Sequence, residues 1–326
     1  MARIPVGVLT GFLGSGKTTL LSRLLADPAF TNTVVVINEF GEVSIDHLVV
    51  ANLAETIVEL RNGCLCCTVR GDLVMTLRDL FRQRQLGELR RFDRVLVETS
   101  GLADPVPLLH TVLTNAPLQQ AYDIDAVVTV VDALNAPATV AAHQTAADQV
   151  AVADVIVISK QDLATPAERA ATMHCVAALN SQAPCFDSAD VAPQQLFGRG
   201  LFNPTGRACQ VADWLAHHEG ASAVHHDHVY RQCVIRHPGP VSLAGLTVFL
   251  NQLVNREREH LLRIKGIAGA RERGGQPVLV HAVQNKFYPL QWLAEWPDDD
   301  QSCRLVFIGR DLDATRLRER FEALCV

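Results

Sequence analysis

The stretch VGVLTGFLGSGKTTLL, residues 6–21, restricts the chain more than any other. An apolar run of strand length leads into GFLGSGKT (11–18), which fits G-x-x-x-x-G-K-[ST] in full, and helix-forming residues follow. The glycine spacing lets backbone N–H groups turn inward around phosphate oxygens. The helix that starts behind the loop adds positive potential at the same point. Gly11, Gly14, Ser15 and Gly16 would form the loop, Lys17 would reach the β- and γ-phosphates, and Thr18 would bind Mg²⁺ through its hydroxyl. A strand, a phosphate-wrapping loop and a helix in that order begin a P-loop NTPase sheet.

The rest of the first half continues the pattern. TVVVIN (33–38), TIVEL (56–60), DRVLVE (93–98), AVVTVV (126–131) and DVIVIS (154–159) are β-branched runs of strand length with helical segments among them. Strands this continuously apolar imply a parallel sheet with helices on both faces. The second half reads differently. Strands are expected at 229–236, 261–268, 277–283 and 303–309, with helices at 242–254 and 313–325. The expected organisation is a P-loop domain over 1–203, a linker over 204–227 and a smaller C-terminal α+β domain over 228–326.

Composition narrows the function classes. A net charge of −6 argues against a general nucleic-acid binder, and no uncharged apolar run is long enough to span a bilayer. The N-terminus does not read as a signal peptide, so the expected compartment is the cytoplasm. Lysine occurs only at Lys17, Lys160, Lys265 and Lys286, and arginine is otherwise the cation. A retained lysine marks a place that wants a compact ammonium or a thin stem.

Two further motifs complete a nucleotide site. VLVETSG (95–101) ends a strand in Glu98, a carboxylate able to hold a Mg²⁺-bound water, and Gly101 would let a switch loop sense a γ-phosphate. VISKQDL (157–163) resembles the guanine-specificity motif Asn-Lys-x-Asp, with Ser159 in the Asn place. Asp162 could accept from guanine N1–H and the exocyclic amine, while the stem of Lys160 covers the base. The reading selects GTP over ATP, and Ser159, which forms fewer hydrogen bonds than Asn, is its departure from the common motif.

NGCLCCTV (62–69) places Cys64, Cys66 and Cys67 just after a glycine and just before a helix. A disulfide, a buried cluster and a metal site compete. A reducing cytosol disfavours the first, and the flanking Asn and Gly suggest a turn rather than core. Thiolates with a carboxylate suit zinc or a similar ion, so a metal site fits best. The other six cysteines, Cys175, Cys185, Cys209, Cys233, Cys303 and Cys325, are scattered singly and read as small core residues or free thiols. HHDH (225–228) leaves two readings open for His225, His226 and His228, a metal site or a solvated polar segment.

Together, GFLGSGKTT, NEFGEVSID, GCLCC, ETSGLADP and SKQDL resemble the CobW-type P-loop GTPases, metallochaperone relatives of the UreG and HypB proteins. RIKGI, VQNKF and LVFIGRDLD resemble that family's C-terminal domain, so the likeness covers nearly the whole chain. The resemblance implies Gly14, Gly16, Lys17, Thr18 and Thr19 at phosphate and Mg²⁺. It also implies Glu39 and Glu42 in the first switch region, Cys64, Cys66 and Cys67 at a transferred metal, and Asp162 at guanine. The expected protein is a slow GTPase with Lys17 and Glu98 as catalytic groups, delivering zinc to a client under control of the GTP/GDP cycle. A homodimer is compatible with this reading. Within the family the metal could instead be cobalt for cobalamin synthesis, or iron or cobalt for nitrile hydratase. Outside it, a zinc-buffering module or a P-loop small-molecule kinase are the rivals.

Overall fold

A computed structural model of the chain describes residues 3–38, 56–59, 68–197, 230–257, 260–283, 286–287 and 290–326. Glu39, Glu42, Cys64, Cys66, Cys67, Cys209, the expected linker and the HHDH histidines lie outside the described residues. Two units are distinguished, one of Met1–Cys175 with Ala183–Asn203, the other of Val176–Gln182 with Pro204–Val326.

Strands and helices alternate in the first unit. In chain order they are β1 (Ile4–Thr10), α1 (Lys17–Leu25), β2 (Thr33–Asn38), β3 (Thr56–Glu59), α2 (Thr68–Leu86) and β4 (Arg94–Thr99). There follow α3 (Val106–Thr114), α4 (Ala116–Ala121), β5 (Tyr122–Asp132), α5 (Ala136–Ala142) and α6 (Gln144–Ala151). The series closes with β6 (Val155–Ser159), α7 (Pro166–Leu179), β7 (Cys185–Asp187) and α8 (Pro193–Leu196). The last turn of α7 is grouped with the second unit. The strands form one sheet in the order β3-β2-β4-β1-β5-β6-β7, and every neighbouring pair is parallel. One core gathers Leu20, Leu21 and Leu24 of α1 against Leu9, Val35, Leu96 and Val128 of the sheet.

β5 begins four residues before the expected Ala126. Asp123 and Asp125 break the apolar run, and the extension is carried by the buried Tyr122 and Ile124 that alternate with them. The Tyr122 hydroxyl donates to the Leu77 carbonyl at 2.8 Å, and Asp123 pairs with Arg3 at 3.3 Å. Polar residues in this strand are thus satisfied by partners that its sequence does not contain.

The second unit is built on an antiparallel sheet. Its elements are β8 (Tyr230–His237), α9 (Leu243–Arg256), β9 (Leu261–Ala270), β10 (Gln276–Val283), β11 (Lys286–Phe287), β12 (Gln291–Trp292), β13 (Cys303–Arg310) and α10 (Ala314–Cys325). The order is β11-β10-β9-β13-β8, with β12 also on β10. Both helices start where the side chain of a capping residue satisfies a free N–H: Ser242 accepts from Gly245, and Asp313 from Arg316. Phe249 of α9 meets Phe307 and Phe321 edge to face, with ring centres 6.0 and 5.6 Å apart. By strand alternation the opposite face of this sheet carries Arg263, Lys265, His281 and Arg304, all buried. Arg304 forms a two-pronged pair with Asp298, each bond 2.9 Å.

Candidate nucleotide site

The parallel register fixes which loops meet. Leu9 aligns with Glu98, Ile37 with Glu98, and Asp132 with Ser159, so the carboxyl ends of β1, β2, β4, β5 and β6 share one rim. The phosphate loop rises from β1 at that rim. Gly14 and Gly16 adopt φ of 70° and 93°, a left-handed backbone that a side chain would strain. Gly16 caps α1, and the next residue, Lys17, folds back into the loop. Its Nζ donates to the carbonyls of Gly11 at 3.0 Å and Phe12 at 3.2 Å. The Ser15 hydroxyl is buried in the same loop without a hydrogen-bond partner. A phosphate oxygen is the kind of acceptor such a donor lacks.

Thr18 and Glu98 meet as the motif reading requires. Alternation along β4 puts Leu96 and Glu98 on the face covered by α1, whose first turn carries Thr18. The Thr18 hydroxyl donates to Glu98 Oε1 at 3.0 Å, and Glu98 is only 6% exposed. Thr99 points the other way, its hydroxyl donating to that of Thr10 at 2.8 Å. Two hard oxygen donors side by side at the mouth of a phosphate loop fit Mg²⁺. Gly101 lies against the loop from the far side. A Cβ there would sit 2.7 Å from the Leu13 nitrogen and 2.8 Å from its Cα, so only glycine allows this approach.

The SKQD segment follows β6. The Ser159 hydroxyl lies 2.6 Å from the Ser15 carbonyl and 3.3 Å from that of Val131. It has one proton to give, and the shorter contact takes it. Ser159, read from the sequence as a weaker guanine ligand, therefore ties the base segment to the phosphate loop. Lys160 takes φ of 57°, uncommon outside glycine. Its Nζ donates to Asp132 Oδ2 at 2.8 Å, and the same carboxylate accepts from Leu134 N and Asn135 Nδ2. Burial works to raise the Asp132 pKa, but the bonds from Lys160, Asn135 and Leu134 together hold it below the usual carboxylate range. Asp162 and Thr19 are exposed, Asp162 in the turn beyond Lys160 and Thr19 in the first turn of α1.

A cavity of about 310 Å³ lies between the phosphate loop and the α5–α6 pair, with Phe12, Gly14, Asp132, Thr139, Gln149 and Lys160 in its walls. The Phe12 ring stacks on His143 at 4.6 Å, which gives that histidine a packing role. Asp132 and Gln149 were not candidates from sequence. Asp132 had a signal, since VVTVVD closes an apolar strand run with an acid, as VLVE does at Glu98. Gln149 had none, being one polar residue in a short helix. Among the described residues no group of three or more His, Cys, Asp or Glu side chains is placed to hold a metal ion. Of the single cysteines, Cys233, Cys303 and Cys325 are buried and free, and Cys175 and Cys185 are free and part-buried. No helix among the described residues is long and apolar enough to cross a membrane.

Comparison with known proteins agrees with this geometry. Residues 5–187 match the CobW/HypB/UreG nucleotide-binding domain, and residues 230–325 the cobalamin synthesis protein CobW C-terminal domain. The chain is 32% identical to the zinc chaperone YjiA of Escherichia coli (strain K12), with 99% of each protein covered. It is also 32% identical to the zinc chaperone CobW of a Sinorhizobium species, over 99% of this chain and 97% of that one. The crystal structure of Zn(II)-bound YjiA GTPase from E. coli matches with a TM-score of 0.72 at 27% identity, covering 99% of both chains. The chain belongs to the CobW/HypB/UreG family and carries the family's nucleotide-binding domain followed by the CobW C-terminal domain.

Proposed function

We propose that this protein is a GTPase that binds zinc and delivers it to a client protein, with the GTP cycle setting its affinity for the metal. The observation that carries the reading is the contact of Thr18 with Glu98 beside Lys17, in a chain that aligns end to end with zinc chaperones. GTP is hydrolysed to GDP and phosphate. Lys17 exchanges its loop carbonyls for phosphate oxygens and neutralises the charge that grows on them. Thr18 and Glu98 would hold Mg²⁺, which would supply further positive charge to the phosphates. Backbone N–H groups of Gly14, Ser15 and Gly16 orient the phosphates, with Thr18 and Thr19 at the start of α1. Asp162 accepts from the guanine edge, the stem of Lys160 covers the base, and Gly101 follows the γ-phosphate.

Zinc is cargo in this scheme. Cys64, Cys66 and Cys67 take it as thiolates, with Glu39 or Glu42 of the first switch region completing the set. Such chemistry belongs to the reducing cytoplasm. GTP tightens the zinc site, and hydrolysis to GDP releases the metal. The coupling is reciprocal, so zinc tightens GTP binding by the factor through which GTP tightens zinc binding.

The test is zinc affinity with a non-hydrolysable GTP analogue, with GDP and without nucleotide, repeated with cobalt and run beside phosphate release. The GTP analogue should tighten zinc about tenfold or more, within the usual range of such couplings. The double variant Cys66→Ser, Cys67→Ser should lose high-affinity zinc yet still bind GTP, because a hydroxyl is a poor ligand beside a thiolate. Equal zinc affinity in all three states would leave a zinc-buffering module. A phosphorylated acceptor in place of free phosphate would make the protein a kinase. Cobalt bound more tightly than zinc would move the cargo to the cobalt branch of the family.

A further inference from the structure

Gln149 sits on α6, outside every motif of the nucleotide site, with 1% of its surface exposed. Its Nε2 donates to the carbonyls of Gly101 at 3.2 Å and Ala103 at 2.9 Å. Both partners can only accept, so the amide nitrogen must face them and the orientation of the group is forced. Oε1 is then left buried without a hydrogen-bond partner. The Gln149 backbone carbonyl accepts from the Thr129 hydroxyl at 2.7 Å, which ties this residue to β5. One buried residue thus joins the central sheet, through its backbone carbonyl, to the segment that follows Glu98, through its carboxamide.

That segment has little room to move. Gly101 is so near Leu13 of the phosphate loop that a single added carbon would clash. The residue before α6, His143, stacks on Phe12 of the same loop. The helix that carries Gln149 therefore contacts the phosphate loop at its start and the Gly101 segment nearly two turns later.

We propose that Gln149 is a positioning residue of the nucleotide switch: its carboxamide clamps the Gly101 and Ala103 carbonyls so that the Gly101 N–H is aimed at the γ-phosphate. Gln149 thereby makes the protein distinguish GTP from GDP without touching the nucleotide. The inference rests on the GTPase reading above. A clamp of this kind has a selective signature. GDP has no γ-phosphate, so its binding does not use the aim of Gly101, whereas GTP binding and hydrolysis do.

The experiment uses the full chain and the variant Gln149→Met, which keeps the length and burial of the side chain and removes both donors. Affinities for GDP and for a non-hydrolysable GTP analogue are measured beside kcat and KM for phosphate release. GDP affinity should stay within about twofold. The affinity for the analogue and kcat should each fall about tenfold, or about 1.4 kcal/mol, within the cost of leaving buried carbonyls unpaired. Thr129→Val removes the tie to β5 but leaves the carboxamide in place, so its ratio of analogue to GDP affinity should match the parent. On the unmodified protein, amide hydrogen exchange over residues 100–104 should be slower with the analogue than with GDP, a readout that survives if Gln149→Met does not fold. Parental selectivity in Gln149→Met, equal losses for both nucleotides, a matching loss in Thr129→Val, or exchange indifferent to nucleotide would each overturn the clamp. If the parent itself neither hydrolyses GTP nor prefers guanine nucleotides, the GTPase reading falls instead.

Discussion

The two sheets place buried polarity differently. In the parallel sheet, Thr10, Glu98, Thr99 and Ser159 are buried at the carboxyl ends of their strands, beside Thr33, Asp125 and Thr129 buried nearer the amino ends or mid-strand. In the antiparallel sheet, Arg263, Lys265, His281 and Arg304 are buried along the strands. Topology is the cause. Crossover connections send every parallel strand the same way, so strand ends collect on one rim and polar groups there face loops and ligand. Antiparallel strands alternate in direction, so no single rim collects them, and polar residues gather on a face set by the period of two. One arrangement concentrates chemistry. The other needs internal partners, as Arg304 has in Asp298.

The largest effect expected from this contrast is catalytic. Lys17→Ala should lower steady-state phosphate release about a thousandfold, on the order of removing one strong transition-state donor. Turnover at the parental rate would show that the rim is not where chemistry happens. In the other sheet the effect should be on stability alone. Arg304→Ala takes a buried guanidinium away from the part-exposed Asp298 and should cost about 2 kcal/mol in denaturant unfolding of its unit. Nucleotide affinity should stay at the parental value, and its loss would break the division between the two regions.

Smaller changes sharpen the picture of the rim. Ser159→Ala leaves the Ser15 carbonyl without its 2.6 Å donor. It should weaken GTP and GDP alike, by about 1 to 2 kcal/mol in fluorescent-nucleotide titrations. A loss of guanine selectivity instead would return Ser159 to direct base recognition. The smallest effect belongs to the amino end of β5. Burial, opposed by Arg3, raises the Asp123 pKa to about 6 from an ordinary 3.8. An acid with a raised folded pKa stabilises least when it is charged, so its cost is absent below the unfolded pKa. That cost grows as pH rises from about 4 to about 6. Asp123→Asn should therefore stabilise the fold at pH 7 by about 1 kcal/mol after allowance for solvent screening, and leave it unchanged at low pH. Equal unfolding midpoints at both pH values would remove this asymmetry between the rims.

Much of the architecture was legible in residue order. The strands at 33–38 and 277–283 and the closing helix of 313–325 lie where periodicity puts them. The early start of β5 was not legible, because Asp123 and Asp125 interrupt the apolar run and are accommodated only once Arg3 and the buried neighbours are in place. At the site, the glycine spacing marked the phosphate loop without help from the fold. The role of Ser159 escaped, because its acceptor, Ser15, is 144 residues away.

The phosphate loop, the alternation of strands and helices, and the family are written in residue order. Each depends on residue types at fixed short spacing, which the backbone turns into local geometry. The meeting of Thr18 with Glu98, the hold of Asp132 on Lys160 and the grip of Gln149 on the Gly101 segment come from the fold. Those pairings follow from β1 lying between β4 and β5, with β6 beyond. Strand order is set by how the whole apolar surface is buried at once, and no local pattern in the chain encodes it.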